Sequence, residues 1–174
     1  MSVAYHGVPG AFSHEACLSF LPDEEPVGLP SFADVVGAVE RGEAAFGMLP
    51  LENNNVGGVD EVRKLLDRSS LTVLAEHALP VRIHLLGLPG SRIQDIRTAV
   101  SHPMAIKQCA GNLRAMGLAA EEAPSTSVAA QSLSQRTKAA LASWAAADAY
   151  GLVVLRENVH DREVNETTFV IVGQ

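Results

Sequence analysis

Short apolar runs of strand length alternate with segments of helical periodicity from one end of this 174-residue chain to the other. That alternation limits the fold more than any other feature, because strand–helix–strand repetition is the pattern of α/β architecture with largely parallel sheets. Residues 2–5 read as a strand running into the turn Gly7-Val8-Pro9-Gly10, and residues 11–20 as a helix with Ser13 as its cap. Residues 22–30, rich in acids and prolines, read as a loop. Phe32, Val35, Val36 and Val39 recur at helical spacing within an amphipathic helix over 31–41 that Gly42 closes. Residues 45–51 form a strand interrupted at Pro50, a polar loop covers 52–58, and a helix covers 59–66. Extended runs over 71–76 and 81–88 flank Pro80. A strand at 98–101, a helix over 104–116, a helix start at Ser125-Thr126-Ser127 leading into 128–135, and a strand-like run over 138–143 follow. An Ala-rich helix over 144–150 stops at Gly151, and residues 152–155 and 169–172 are the last strands. Strand–turn–helix units occur before about residue 75 and again after about residue 82, with no identical repeat. Two α/β lobes with a central cleft are therefore expected, since ligands collect at the carboxyl ends of strands in open α/β sheets. Lobe 1 is placed at residues 1–77 plus 160–174 and lobe 2 at 78–159.

Composition excludes several classes. Hydrophobic residues make up 47% of the chain and charged residues 19%, enough apolar material for a sizeable core, so disorder is excluded. A net charge of −7 and a sequence pI near 5.3 are not the footprint of a nucleic-acid binder. Cys17 and Cys109 form no C-x-x-C pair, which leaves a zinc site or a disulfide framework unsupported and fits two buried thiols in a reducing compartment. No secretory signal pattern is visible, and no apolar run approaches the ~20 residues that span a bilayer. A cytoplasmic protein without a membrane partner is expected. The chain contains no G-x-x-x-x-G-K-[ST], H-E-x-x-H, full G-x-G-x-x-G or G-x-S-x-G motif, so neither a metal nor a nucleotide cofactor is indicated.

Four polar clusters lie at strand ends. Gly7 to His14 precedes a helix whose backbone N–H groups could hold an anion. Glu52-Asn53-Asn54-Asn55 supplies a carboxylate and three amides just past a strand, which is also the composition of an Asx-rich turn. Ser101-His102-Pro103, followed by Gln108, offers a helix cap or hydrogen-bonding groups for a ligand. Asn165-Glu166-Thr167-Thr168-Phe169 is ordinary strand composition with two hydroxyls. Spacing alone takes these residues as far as a small polar ligand.

Taken together and in this order, the clusters resemble the prephenate dehydratase family. Gly7-Val8-Pro9-Gly10-Ala11-Phe12-Ser13 is similar to its opening turn, and Pro50-Leu51-Glu52-Asn53 with Gly57 to its P-[IV]-E-N segment. Ser101-His102-Pro103 with Gln108-Cys109, Ser125-Thr126, Tyr150-Gly151-Leu152 and Asn165-Glu166-Thr167-Thr168-Phe169 match the later motifs. The resemblance implies a two-lobed fold similar to type II periplasmic binding proteins, with the active site in the cleft. It implies decarboxylating dehydration of prephenate to phenylpyruvate in phenylalanine biosynthesis, without a cofactor and in a homodimer. It extends over the catalytic domain, without the C-terminal ACT domain. Thr167 matches the family's essential threonine and is the expected proton donor to the leaving hydroxyl. Glu52 and Asn53 are expected to orient that hydroxyl and the ring. Ser13, Asn54, Ser101 and Gln108 are expected to hold polar groups of the substrate in the same cleft. Thr168 stands where the family has arginine and is read as a weakened carboxylate site, so that Thr168→Arg should tighten prephenate binding. Related activities stay open beside this reading: an enzyme acting on arogenate, a prephenate decarboxylase, or a non-catalytic module binding an aromatic metabolite.

Overall fold

In the computed structural model, which describes residues 1–174, the alternating segments become eleven strands and seven α-helices. In chain order they are β1 (Ser2–His6), α1 (Phe12–Phe20), β2 (Glu25–Leu29), α2 (Phe32–Glu40), β3 (Phe46–Asn53), β4 (Gly57–Gly58), α3 (Asp60–Arg68), β5 (Thr72–Pro80), β6 (His84–Gly87), β7 (Thr98–Ser101), α4 (Pro103–Gln108), α5 (Ala110–Ala115), β8 (Ala119–Glu122), α6 (Thr126–Gln131), β9 (Lys138–Ala142), α7 (Trp144–Tyr150), β10 (Val153–Arg156) and β11 (Glu166–Gly173). They divide into two units. One comprises Met1–Val8, Phe12–Val81 and Asn165–Gln174, the other Pro9–Ala11 and Arg82–Val164. The changeovers follow Val81 and Val164, a few residues later than the expected 77/78 and 159/160, because β5 stays paired with β11 as far as Pro80 opposite Glu166.

The first unit holds the sheet order β2-β1-β3-β11-β5, with β4 beside β3. The crossovers through α1 and α2 make β1 parallel to β2 and β3. β5 carries the chain out of the unit and β11 brings it back, so β11 is antiparallel to both β3 and β5. The sheets are thus mixed rather than largely parallel. Val35, Val36 and Val39 of α2 are buried together with Ala4, Leu49, Val62, Val170 and Val172, and this is the stripe read from the sequence. Ser31 caps α2 by accepting from the Asp34 N–H.

The second unit holds the order β10-β6-β9-β7-β8, with β7 parallel to β8 and β9 and β6 antiparallel to β9 and β10. Beside large buried residues such as Ile83, Leu85 and Leu141, its core has a cluster made mostly of alanine: Ala129 and Ala130 of α6, Ala146 and Ala147 of α7, and Ala140 and Ala142 with Leu86 from the sheet. Small side chains allow close backbone approach. At Gly10 (φ +93°) a Cβ would lie 2.8 Å from the Ala146 Cα. The fully buried Ser143 caps α7 by accepting from the Ala146 N–H at 3.1 Å and donates to the Gly10 carbonyl at 2.6 Å. Tyr150 Oη donates to the neighbouring Pro9 carbonyl. The opening turn is therefore a tie between distant segments of this unit. Ser143→Ala removes the cap and one hydrogen bond to a buried carbonyl, and should lower unfolding free energy by ~2 kcal/mol, seen as a lower urea midpoint.

Four local expectations are corrected. Residues 25–29 are strand rather than loop: β2 is an edge strand, where Pro26 and a flanking acid are tolerated because only one neighbour has to be satisfied. β3 continues through Pro50 to Asn53. Its pairing with β1 ends at Met48, and its register with β11 shifts at this point, leaving Leu51 as an extra residue. Such an irregularity accommodates the missing proline N–H. The helix expected over 104–116 is broken at Cys109 (φ −111°, ψ 2°) into α4 and α5. Finally, β11 begins at Glu166 and not at Phe169.

Candidate active site

The pairing of β3 with β11 decides which of the expected residues meet. Asn53 lies opposite Thr167, and Glu52 opposite Thr168. Adjacent residues of a strand point to opposite faces of the sheet, so the four split into two pairs. On one face Asn53 Nδ2 donates to Thr167 Oγ1 at 2.9 Å and to Asn165 Oδ1 at 3.0 Å. Asn53 Oδ1 accepts from the Asn55 N–H at 2.8 Å and the Val56 N–H at 3.2 Å. Because two backbone N–H groups must face the amide oxygen, the orientation of the Asn53 amide is set by its network. Thr167 Oγ1 therefore accepts from Asn53, and its own proton is directed elsewhere.

Asn165 supports this pair from beneath. It is 4% exposed, and its carbonyl accepts from the Val81 N–H at 2.6 Å. Asn165 belongs to the last motif of the chain but is not among the expected site residues; its place two residues before Thr167 is the signal for it, since such residues share a face of a strand. Asn54 clips the hairpin to the start of β11. Its Oδ1 accepts from the Glu166 N–H at 2.7 Å, and its own N–H donates to the Glu166 carbonyl at 3.1 Å.

The other face carries Glu52 and Thr168. Glu52 Oε2 is 3.6 Å from Arg63 Nη2 of α3, both side chains being about half exposed. Thr168, flanked by Glu52 on β3 and Ala78 on β5, continues the face that carries Val170, Leu49 and the α2–α3 core. The two residues thus face away from Asn53 and Thr167, whereas the family resemblance implies Glu52 beside Asn53 in the site.

Ser13 is the second residue of α1 rather than its cap, and it is half-buried. His14 beside it stacks on Tyr5 with ring centroids 5.2 Å apart, and burial lowers its pKa. Ser101 ends β7 fully buried, and its hydroxyl donates to the Leu141 carbonyl at 2.7 Å. This bond ties β7 to β9. The cap of α4 is His102, whose Nδ1 accepts from the Met104 N–H at 3.0 Å. Gln108 is the half-buried last residue of α4. Burial pushes both thiols, Cys17 and Cys109, up to about 12, which leaves neither as a thiolate at neutral pH. No group of three or more His, Cys, Asp or Glu side chains is placed to hold a metal ion, and no helix is long and apolar enough to cross a membrane.

Comparison with known proteins gives a consistent family relationship. The family model for prephenate dehydratase matches residues 3–174. The chain is 37% identical over 175 residues to arogenate dehydratase/prephenate dehydratase 1, chloroplastic, of Arabidopsis thaliana, a match covering 99% of this chain and 45% of the relative. It is 35% identical over 175 residues to a bifunctional N-acyl-homoserine lactone acylase/prephenate dehydratase of Komagataeibacter europaeus, covering 99% of this chain and 62% of that one. A solved structure described as GqqA, a novel type of quorum-quenching acylase, superimposes with a TM-score of 0.93 at 34% identity, covering 100% of this chain and 64% of its own. The chain thus spans roughly half to two thirds of the lengths of these relatives.

Proposed function

The chain belongs to the prephenate dehydratase family, and we propose that it converts prephenate to phenylpyruvate, water and carbon dioxide with Thr167 as the proton donor. The observation that carries this reading is the Asn53–Thr167 hydrogen bond. Asn53 donates to Thr167 Oγ1, so the Thr167 proton is available to a substrate oxygen. In the reaction the bond from the ring to its carboxylate breaks and its electron pair enters the ring. The C–O bond opposite breaks, and the departing hydroxyl takes a proton and leaves as water. One proton is consumed overall, and solvent restores it to Thr167. A neutral alcohol is a weak acid, but the new aromatic ring supplies the driving force, so a well-placed hydrogen bond to the departing oxygen suffices.

Asn53 positions that hydroxyl, Asn165 positions Asn53, and Asn54 holds the hairpin closed. Gln108 and Ser13 bind polar groups of the substrate. Ser101 supports β7 and β9 from within the second unit, and Glu52 pairs with Arg63. The protein works in the cytoplasm, where its two free cysteines stay reduced, and as a homodimer, the assembly the family resemblance implies. Light scattering at micromolar concentration tests the dimer, and cell fractionation the compartment.

The deciding experiment incubates the protein with prephenate and follows phenylpyruvate absorbance in alkali, with parallel arms in which arogenate is followed by phenylalanine formed and an N-acyl-homoserine lactone by the substrate remaining. Phenylpyruvate formed faster than in a protein-free control supports the reading. No turnover of prephenate, with turnover in either other arm, replaces it.

Thr168→Arg supplies a check on the two faces. An arginine at 168 would lie opposite Glu52 and compete with Arg63 for its carboxylate. The expected result is a KM for prephenate within a few-fold of wild type, with a stability change of ~0.2–1 kcal/mol at most, as for an exposed ion pair. A tenfold fall in KM would place a substrate carboxylate on the Thr168 face.

A further inference from the structure

We infer that Asp161 is a positioning residue that holds Gln108 by clamping together the end of α4 and the start of α5. The role given to Gln108 rests on the function proposed above; the clamp itself does not. Cys109 is the N-cap of α5, but its side chain makes no capping hydrogen bond. Two early backbone N–H groups of that helix need acceptors. Asp161, some fifty residues further along the chain, supplies both. Its Oδ2 accepts from the Gly111 N–H and its Oδ1 from the Asn112 N–H, each at 2.8 Å. The Asp161 N–H in turn donates to the Gln108 carbonyl at 2.8 Å. Asn112 Nδ2 returns the contact by donating to the Val159 carbonyl at 2.9 Å and the His160 carbonyl at 3.3 Å. The side chain of Asp161 therefore holds the first turn of α5 while its backbone holds the last residue of α4.

Two further observations show that the local sequence is adapted to this carboxylate. A Cβ at Gly111 would lie 3.1 Å from Asp161 Oδ1 and 3.2 Å from Cγ and Oδ2, so a side chain there would press on the carboxylate. Cys109, between the two clamped ends, is fully buried, and burial together with the Asp161 charge pushes its thiol up to about 12. Without the clamp, the break at Cys109 leaves the end of α4 free to move relative to α5, and Gln108 moves with it. A group that binds substrate equally in the ground and transition states affects KM more than kcat.

The test compares wild type, Asp161→Ala, Gln108→Ala and the double variant with prephenate. The expected result is a KM raised about tenfold in each single variant, with a much smaller change in kcat, and a double variant no worse than Gln108→Ala alone. Multiplying KM effects in the double variant would overturn the inference, because Asp161 would then act by a route other than Gln108. Asp161→Asn, which retains one acceptor, should recover part of the loss. Gly111→Ala, which leaves Asp161 in place, should reproduce it. These two variants also carry the test if Asp161→Ala does not fold.

A second readout does not depend on turnover. A thiol reagent followed by peptide mass spectrometry reports modification of Cys109, with the buried Cys17 of the first unit as internal reference. Modification of Cys109 should accelerate at least tenfold relative to Cys17 when the clamp is opened by Asp161→Ala or Gly111→Ala. An unchanged ratio in every folded variant overturns the clamp whatever the kinetics show. If the wild type does not turn over prephenate, the functional reading fails while the labelling ratio still decides the clamp.

Discussion

Thr167→Val should lower kcat for prephenate by ~10²–10⁴-fold, the usual contribution of general acid assistance, while KM changes little. Valine preserves the branched shape favoured in a strand, and the pairing of β11 with β3 and β5 uses backbone groups that the substitution leaves untouched. Asn53 Nδ2 loses one acceptor but keeps the other, Asn165 Oδ1. The stability cost is therefore about one hydrogen bond, ~1 kcal/mol, and the protein stays folded. The measurement is steady-state turnover at saturating prephenate, with thermal unfolding run on the same preparation. A kcat within a few-fold of wild type would reject the proton-donor role and leave Thr167 as a positioning residue.

Asn53→Asp should be nearly as damaging, although it changes only one NH2 group to oxygen. In the present network Asn53 donates twice, to Thr167 and to Asn165, and accepts twice, from the Asn55 and Val56 N–H groups. A carboxylate keeps the accepting side and loses both donated bonds. Thr167 would then turn its own proton toward the new oxygen, the reverse of the polarity that leaves that proton for substrate. The expected kcat falls by ~10²-fold or more, within the range for loss of the acid itself. Combined with Thr167→Val, the effect should be far from additive, since the two residues act as one unit. The carboxylate would also face Asn165 Oδ1 across the former 3.0 Å hydrogen bond, so a lower melting temperature should accompany the lost activity. If kcat is retained in Asn53→Asp while Thr167→Val is inactive, Thr167 donates without help from Asn53.

Much of this protein was legible in its local patterns. The valine stripe of α2, the Ala-rich α7 stopped by Gly151, and the helix start at Ser125 depend on neighbours within a turn or two, where propensity and capping act. That Thr167 and Asn53 share a site is implied by the family resemblance that the order of the motifs carries; their direct pairing comes from the strand register. Other features depend on groups far apart in sequence. β2 is a strand because β1 lies beside it, and Pro26 would otherwise mark a loop. The long helix expected after Ser101 stops at Cys109, where a carboxylate from residue 161 caps the helix that follows. Above all, Glu52 and Asn53 are adjacent in sequence, as are Thr167 and Thr168, yet they separate into two pairs on opposite faces of the sheet. Which residue types stand together along the chain is local information, carried by residue order alone. Only the register between β3 and β11 decided which of them share a face, because strand side chains alternate and pairing is set by distant backbone hydrogen bonds.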